Sequence, residues 1–271
     1  RSGLKDWHFR RHHSEFKERP FQQPLWTGKK LRKGRLLVHA EQGVGDEILY
    51  ASLLSLVLKQ TPDVLLEVDP RLIGLMARSY PSVEVIPKSD PKHPAISCTD
   101  ICARVPLPDL VGMINDDGPG ADITAGYLLA DGERVKAFKD WLRAIGPGPY
   151  VGISWRSGAG RTGKRKSIPL AHWAPLLEND KHTYVNLQYG DTAAETSQVE
   201  RQFGVNVHTP PELDRFNDLD GLAALIRALD FTVTSSNVTA ILAGALGGDV
   251  RALIAPPELW YWGHNETRVP F

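Results

Sequence analysis

The chain has 271 residues, 42% of them hydrophobic and 24% charged, the balance of a globular protein with an ordinary core. Lys and Arg number 32, as do Asp and Glu, so bulk charge predicts neither a nucleic-acid nor a membrane partner, and any anion site must be local. No apolar run reaches the roughly 18 residues of a membrane span, and no signal peptide is legible; the expected compartment is the cytoplasm. The two cysteines, Cys98 and Cys102, are expected to be reduced, and His93 alone does not complete a zinc site with them.

Residues 1–34 are polar, basic and aromatic, with Trp7, Phe9, Phe16, Phe21 and Trp26 and two prolines. They lack the alternation of a strand and read as a helical turn followed by an extended strap that packs aromatics onto a neighbour. From residue 35 strands and helices alternate: strand 35–40, helix 46–60, strand 63–69, helix 71–80 and strand 83–87. Residues 88–125 are rich in Pro, Asp and Gly and read as loop with a short strand near 101–105, and 133–146 as a helix ending at glycine. The GPGP at 146–149 is the strongest boundary signal. After it the pattern restarts, with strands at 150–155, 183–189, 205–209, 231–236 and 250–255. Helices are expected between them at 170–179, 192–204, 218–230 and 237–248. Alternation of this kind implies parallel sheets with right-handed crossovers. The chain therefore divides into a strap (1–34), a first doubly wound half (35–146) and a second (150–271), with ligands at the carboxyl ends of strands in the crevice between halves.

Four stretches at strand ends are candidates for chemistry. In Gln42-Gly43-Val44-Gly45-Asp46 a glycine turn opens a helix, an arrangement that exposes backbone N–H groups to an anion. It is neither a Walker A loop nor GxGxxG, and Glu41, Asp46 and Glu47 would repel phosphate. Asp46 reads either as a carboxylate stabilising the helix start or as a general base for an acceptor hydroxyl. Next, Ser154-Trp155-Arg156-Ser157-Gly158-Ala159-Gly160-Arg161, running on to Lys164-Arg165-Lys166, reads either as a solvated basic surface loop or as a cationic loop suited to a diphosphate, with Arg156, nearest the strand, the leading contact. Gln188 and Tyr189 follow the next strand and read either as a strand-end turn with a packed Tyr or as an amide and an aromatic ring suited to a nucleobase. Ser236, Asn237 and Thr239 open a late helix, either as its cap or as a phosphate contact. There is no GxSxG elbow and no HExxH, and His172, His182 and His208 lack metal-ligand spacing, so no metal site is expected.

Trp26 and Gly28, LLVHAEQGVGDEILYASLL, SWRSG with KSIPLAHWAPLL, VNLQYGD, NDLDGLAALIRALD and SSNVTAILAGALG occur in this order. With them the chain resembles, from about Trp7 to Phe271, the glycosyltransferase-like domain that follows tetratricopeptide repeats in many bacterial proteins, a relative of the heptosyltransferase group with the GT-B fold. The resemblance implies an α/β, GT-B-like architecture of two Rossmann-like halves facing a cleft, with the acceptor, a protein or a glycan, on the first and a nucleotide-sugar donor on the second. It places Gly43, Gly45 and Asp46 at the reacting centre, with Asp46 as base. Trp155, Arg156, Ser157, Arg161, Lys166, Gln188, Tyr189, Ser236, Asn237 and Thr239 would line the donor site, and no metal is implied. The strap then reads as the exit from a repeat array, in keeping with a chain that begins at Arg1 rather than Met. Ile241 stands where relatives commonly have His and cannot hydrogen-bond a phosphate or a sugar. The competing expectation is a catalytically weakened nucleotide-sugar-binding or scaffolding module beside the repeats.

Overall fold

The computed structural model describes residues 7–12, 19–113, 126–158, 160–179, 181–254 and 262. The chain divides into two compact units between Tyr127 and Leu128.

The first unit is built on four parallel strands in the order β3-β2-β1-β4: β1 (Arg35–His39), β2 (Val64–Val68), β3 (Glu84–Pro87) and β4 (Ile101–Pro106). The residues of β2 are buried throughout, as expected of a strand covered on both faces by crossover helices. The helix expected over 46–60 is two: α1 (Val44–Ala51) and α2 (Leu54–Gln60). The chain tightens between them because Ser52 N–H bonds Leu49 O at 3.2 Å and Leu53 N–H bonds Tyr50 O at 3.0 Å, one residue short of the α-helical span. A further helix, α3 (Ile73–Ser79), follows β2. The short strand read near 101–105 is β4, lying against β1.

Of the strap's aromatics, Phe21 packs on the sheet whereas Phe9 is 56% exposed. A 3-10 turn covers Trp7–His12, and residues 24–26 run along β4, where Arg104 N–H donates to Pro24 O at 2.9 Å and Trp26 N–H to Arg104 O at 2.7 Å. Phe21 packs on the cluster of Leu37, Leu65, Ile86, Ile96 and Ile101. Arg19, Lys92 and Arg104 lie 5.2, 4.9 and 5.0 Å from its ring centroid, within cation–π reach. Phe16 lies outside the described residues.

The second unit carries five parallel strands in the order β7-β6-β5-β8-β9: β5 (Tyr150–Ser154), β6 (Thr183–Asn186), β7 (Val207–His208), β8 (Phe231–Ser235) and β9 (Val250–Leu253). Its helices are α4 (Gly132–Ile145), α5 (Gly160–Lys166), α6 (Ala174–Leu177), α7 (Ala193–Phe203), α8 (Leu219–Ala228) and α9 (Val238–Ala245). The core is a cluster around Trp155, Trp173, Tyr184, Val151 and Ile153.

The division at Tyr127 rather than at GPGP has a physical cause. Helix α4, assigned from sequence to the first half, packs on α8 of the second unit. Arg134 Nη1 donates to Asp218 Oδ1 at 3.0 Å, a second bond joins Nη2 to Oδ2, and Asp218 in turn caps α8 by accepting from Gly221 N–H at 2.8 Å. Gly221 makes room for this: a Cβ there would meet Arg134 Nη2 at 2.0 Å. The Leu128 N–H also donates to Ala245 O at 2.9 Å. Among the described residues, no helix is long and apolar enough to cross a membrane.

Candidate functional site

In the second unit the carboxyl ends of β5, β6 and β8 are joined by two buried amides. Gln188 is fully buried. Its Oε1 accepts from Arg156 N–H at 2.7 Å, Trp155 N–H at 3.0 Å and Ser154 Oγ–H at 3.2 Å, collecting the donors that β5 leaves unpaired where its ladder stops. Asn237 does the same from β8. Its Nδ2 donates to Ser154 Oγ at 2.8 Å and to Arg156 O at 3.0 Å, while its Oδ1 accepts from Thr239 N–H at 2.9 Å as the N-cap of α9. Trp155 is buried in the core, its Nε1–H donating to Glu195 Oε1 at 2.8 Å.

Around this frame sit side chains that reach the surface. Arg156 lies 3.0 Å from Glu195 Oε2 and donates to Asp191 O at 2.9 Å. Its Nε is buried with no hydrogen-bond partner among the described residues. Arg215 follows β7, and its Nε donates to Gln188 O at 2.7 Å. Burial lowers its pKa, only partly offset by Asp214. Tyr189 and Phe216 form a tilted ring pair, centroids 5.7 Å apart, and Phe216 is 51% exposed. A Cβ at Gly158 would come within 2.6 Å of Tyr189 Oη, so the loop after β5 rests on that ring.

In the first unit the glycine turn is ordinary backbone. Gly43 caps α1 with φ −79° and ψ 166°, Gly45 lies inside the helix, and neither adopts positive φ. The acids that would repel phosphate have uses within the fold. Arg10 of the strap donates to Glu41 from Nε and from Nη2, both at 2.8 Å, and also pairs with Asp109. Glu47 is buried and accepts Asp69 N–H at 2.7 Å, tying α1 to the end of β2. Burial pushes its carboxyl up to about 7, against the Asp69 N–H and Lys88, which pull it down. Asp46 stands in the first turn of α1, half-buried. Its Oδ2 turns back to within 3.6 Å of where a Gly43 Cβ would lie.

The residues expected at the donor site thus fall into different environments. Trp155, Gln188, Asn237 and Thr239 are buried; the first three are structural struts, and Thr239 Oγ1 has no partner among the described residues. Ser236 is buried and accepts from Trp262 Nε1 at 2.9 Å. Ser157 N–H bonds Ser167 Oγ at 3.0 Å, folding the basic segment back on itself. That segment is not the open loop read from sequence: α5 runs through it and ends at Lys166. The Arg161 side chain lies outside the described residues. Arg156 and Tyr189 stay at the surface, joined by Arg215 and Phe216, which were not among the candidates from sequence. An Arg-Phe pair in a polar loop after a strand was the available signal. Among the described residues no three His, Cys, Asp or Glu side chains gather to hold a metal ion.

Solved structures share this arrangement of two Rossmann-like units. A family 9 glycosyl transferase from Veillonella parvula superposes with a TM-score of 0.60, covering 84% of this chain and 83% of its own at 13% identity. The E. coli ADP-heptose lps heptosyltransferase II gives a TM-score of 0.54, covering 80% of this chain and 84% of its own at 14% identity. E. coli heptosyltransferase WaaC with ADP gives 0.52 over 83% of this chain and 88% of its own, also at 14% identity. The fold is GT-B. No family model matches the chain. In sequence it is 35% identical over 243 residues to Protein FlbA of Caulobacter vibrioides, an alignment covering 82% of this chain and 39% of FlbA. A GT-B Rossmann-like unit presents its strand carboxyl ends to ligands, and in the second unit those ends carry the Arg156, Tyr189, Arg215 and Phe216 group.

Proposed function

We propose that this chain is a glycosyltransferase domain that holds a nucleotide-activated sugar on its second unit and transfers the sugar to a protein or glycan acceptor. The observation that carries this reading is the group beyond the ends of β5, β6 and β7. A half-buried guanidinium, Arg215, and an exposed aromatic ring, Phe216, stand side by side on a GT-B fold. The heptosyltransferase WaaC was solved with ADP, and a ligand with a diphosphate and a flat base fits the same chemistry here. In the transfer the acceptor hydroxyl oxygen attacks the anomeric carbon, and the bond from that carbon to the diphosphate oxygen breaks. Its electron pair leaves with the nucleoside diphosphate, and the acceptor proton passes to the carboxylate of Asp46. The charge growing on the diphosphate is met by fixed cationic side chains, with no metal required.

One observation favours a second reading, a nucleotide-sugar-binding module with weakened transfer. The Asp46 carboxylate is turned back toward Gly43 over the start of its own helix, and Ile241 offers the donor no hydrogen bond. A thermal-shift screen with UDP, GDP, ADP and CMP sugars tests donor binding, since a ligand bound only by the folded state raises the melting temperature. Product analysis with Asp46→Asn then separates the readings. Transfer lost with donor binding intact supports the base. Transfer that survives removes Asp46 from that role, and binding without transfer in the wild type identifies the module.

A further inference from the structure

The loop between β7 and α8 is shaped by Asp214, and the way that residue spends its charge decides what Arg215 does. Asp214 Oδ1 accepts from Phe216 N–H at 2.9 Å and Asn217 N–H at 3.0 Å, and its Oδ2 accepts from Asn217 Nδ2 at 2.7 Å. A fourth bond, Asp218 N–H to Asp214 O at 2.8 Å, closes the turn. The aspartate is therefore committed to its own loop, and Arg215 makes no ion pair with a carboxylate among the described residues. Its one hydrogen bond there is Nε to the Gln188 carbonyl, which anchors the guanidinium over the end of β6 and leaves both terminal nitrogens without a hydrogen-bond partner among the described residues. Asp214 acts on this half-buried guanidinium only through space, without a contact ion pair, and a guanidinium that has given up part of its hydration regains it by binding an anion, bidentately where the anion is a phosphate.

The next residue supplies the second half of the arrangement. Phe216 is 51% exposed in a unit with an ample core, so its exposure is not needed for folding. Tyr189, itself resting on Gly158, stands behind it at 5.7 Å. A rigid turn thus presents a cation and a backed aromatic face at consecutive positions. Such a pair matches a ligand with an anionic group and a flat ring.

We propose that Phe216, backed by Tyr189, is the stacking platform for the base of a nucleoside diphosphate, and that Arg215 receives its phosphates. This rests on the nucleotide-sugar reading and adds the residues that form the base-binding and phosphate-binding end of that site. Base stacking on an aromatic side chain is worth about fivefold to about 140-fold in affinity.

The test is calorimetric titration of the 271-residue chain with ADP, GDP, UDP and CDP, and with inorganic pyrophosphate as the base-free probe. Phe216→Ala is expected to weaken the preferred nucleotide by about fivefold or more while pyrophosphate binding stays unchanged; Phe216→Tyr is expected to restore it. Arg215→Gln is expected to weaken nucleotide and pyrophosphate alike, with Arg215→Lys keeping part of both. The melting temperature without ligand checks that each variant folds. Wild-type nucleotide binding that is unaffected by both Phe216→Ala and Arg215→Gln overturns this inference and leaves the donor-binding reading standing. Absence of binding by the wild type to all four nucleotides overturns both.

Discussion

Replacing Glu47 with Gln tests whether a carboxyl next to Asp46 holds a proton near neutral pH. Glu47 is 2% exposed, and the groups facing it are the Asp69 N–H and carboxylate, the Glu67 carboxylate and the Lys88 ammonium. Burial is the leading reason its pKa rises from the ordinary 4.5 to about 7. The folded protein then binds this proton more tightly than the unfolded chain does. Its stabilising effect is complete below the unfolded value and is lost as pH rises through the folded value. At about 1.4 kcal/mol per pKa unit the whole effect is about 3 kcal/mol, of which about 2.5 kcal/mol is lost between about pH 5 and about pH 8. Gln keeps an oxygen for the Asp69 N–H and cannot ionise. Urea unfolding of Glu47→Gln and wild type across that range should therefore show the difference moving by about 2.5 kcal/mol in favour of the variant as pH rises. His208, whose pKa burial lowers, gives the opposite slope, but it is present in both proteins and cancels in the difference. A difference that stays constant with pH refutes a protonated Glu47.

Four further outcomes follow from the contacts described. Gln188→Ala leaves the Ser154, Trp155 and Arg156 donors without their acceptor and should cost about 2–4 kcal/mol in chemical unfolding; a loss under about 0.5 kcal/mol contradicts its role as a strut. Arg19→Ala strands the fully buried Glu67 carboxylate and should cost about 3 kcal/mol, with most of that returned by adding Glu67→Gln, as thermal melts of the single and double variants would show. Gly221→Ala drives a methyl into Arg134 and Asp218 and should lower stability by about 1–3 kcal/mol, read from the melting temperature. Glu195→Gln removes the charge paired with Arg156; nucleotide affinity measured by calorimetry should stay at the wild-type value, whereas a clear rise would make Arg156 a phosphate contact.

The strands and their alternation with helices were legible because buried parallel strands read as apolar runs, and 35–40, 63–69 and 150–155 show them plainly, whereas the strand order comes from the structure. Two features were not legible because they depend on distant partners. The unit boundary was placed at GPGP, but the assignment of α4 is decided by Arg134 and Asp218, which are 84 positions apart. The strand-end candidates were read by residue type, while their facing is decided by the pleat. Past the last ladder pair, successive side chains still alternate, so Trp155 enters the core and Arg156 turns to the surface. Gln188 looked like a base contact and is an internal acceptor, because three donors from β5 converge on it. Arg215 carries no sequence signal of its own, because the direction of its guanidinium is set by a turn that the Asp214 carboxylate holds through hydrogen bonds to Phe216 and Asn217.

The same logic reorders the cations expected to meet the diphosphate. Arg156 was the leading choice from sequence, being nearest to a strand end. In the structure it is held at 3.0 Å from Glu195 Oε2, and Glu195 is itself fixed by the Trp155 indole at 2.8 Å. An incoming diphosphate would have to share Arg156 with a carboxylate that cannot easily move away, and the repulsion between the two anions subtracts from what the guanidinium gives. Arg215 feels the charge of Asp214, but that carboxylate is hydrogen-bonded into its own loop and makes no ion pair with it among the described residues. Its tether to the Gln188 carbonyl also fixes the guanidinium before any ligand arrives, so less side-chain freedom is lost on binding. Arg156 then serves chiefly through its backbone, whose N–H and C=O are gripped by Gln188 and Asn237. Substitution at the two arginines should accordingly separate, with Arg215 changing ligand affinity and Arg156 changing the set of the loop.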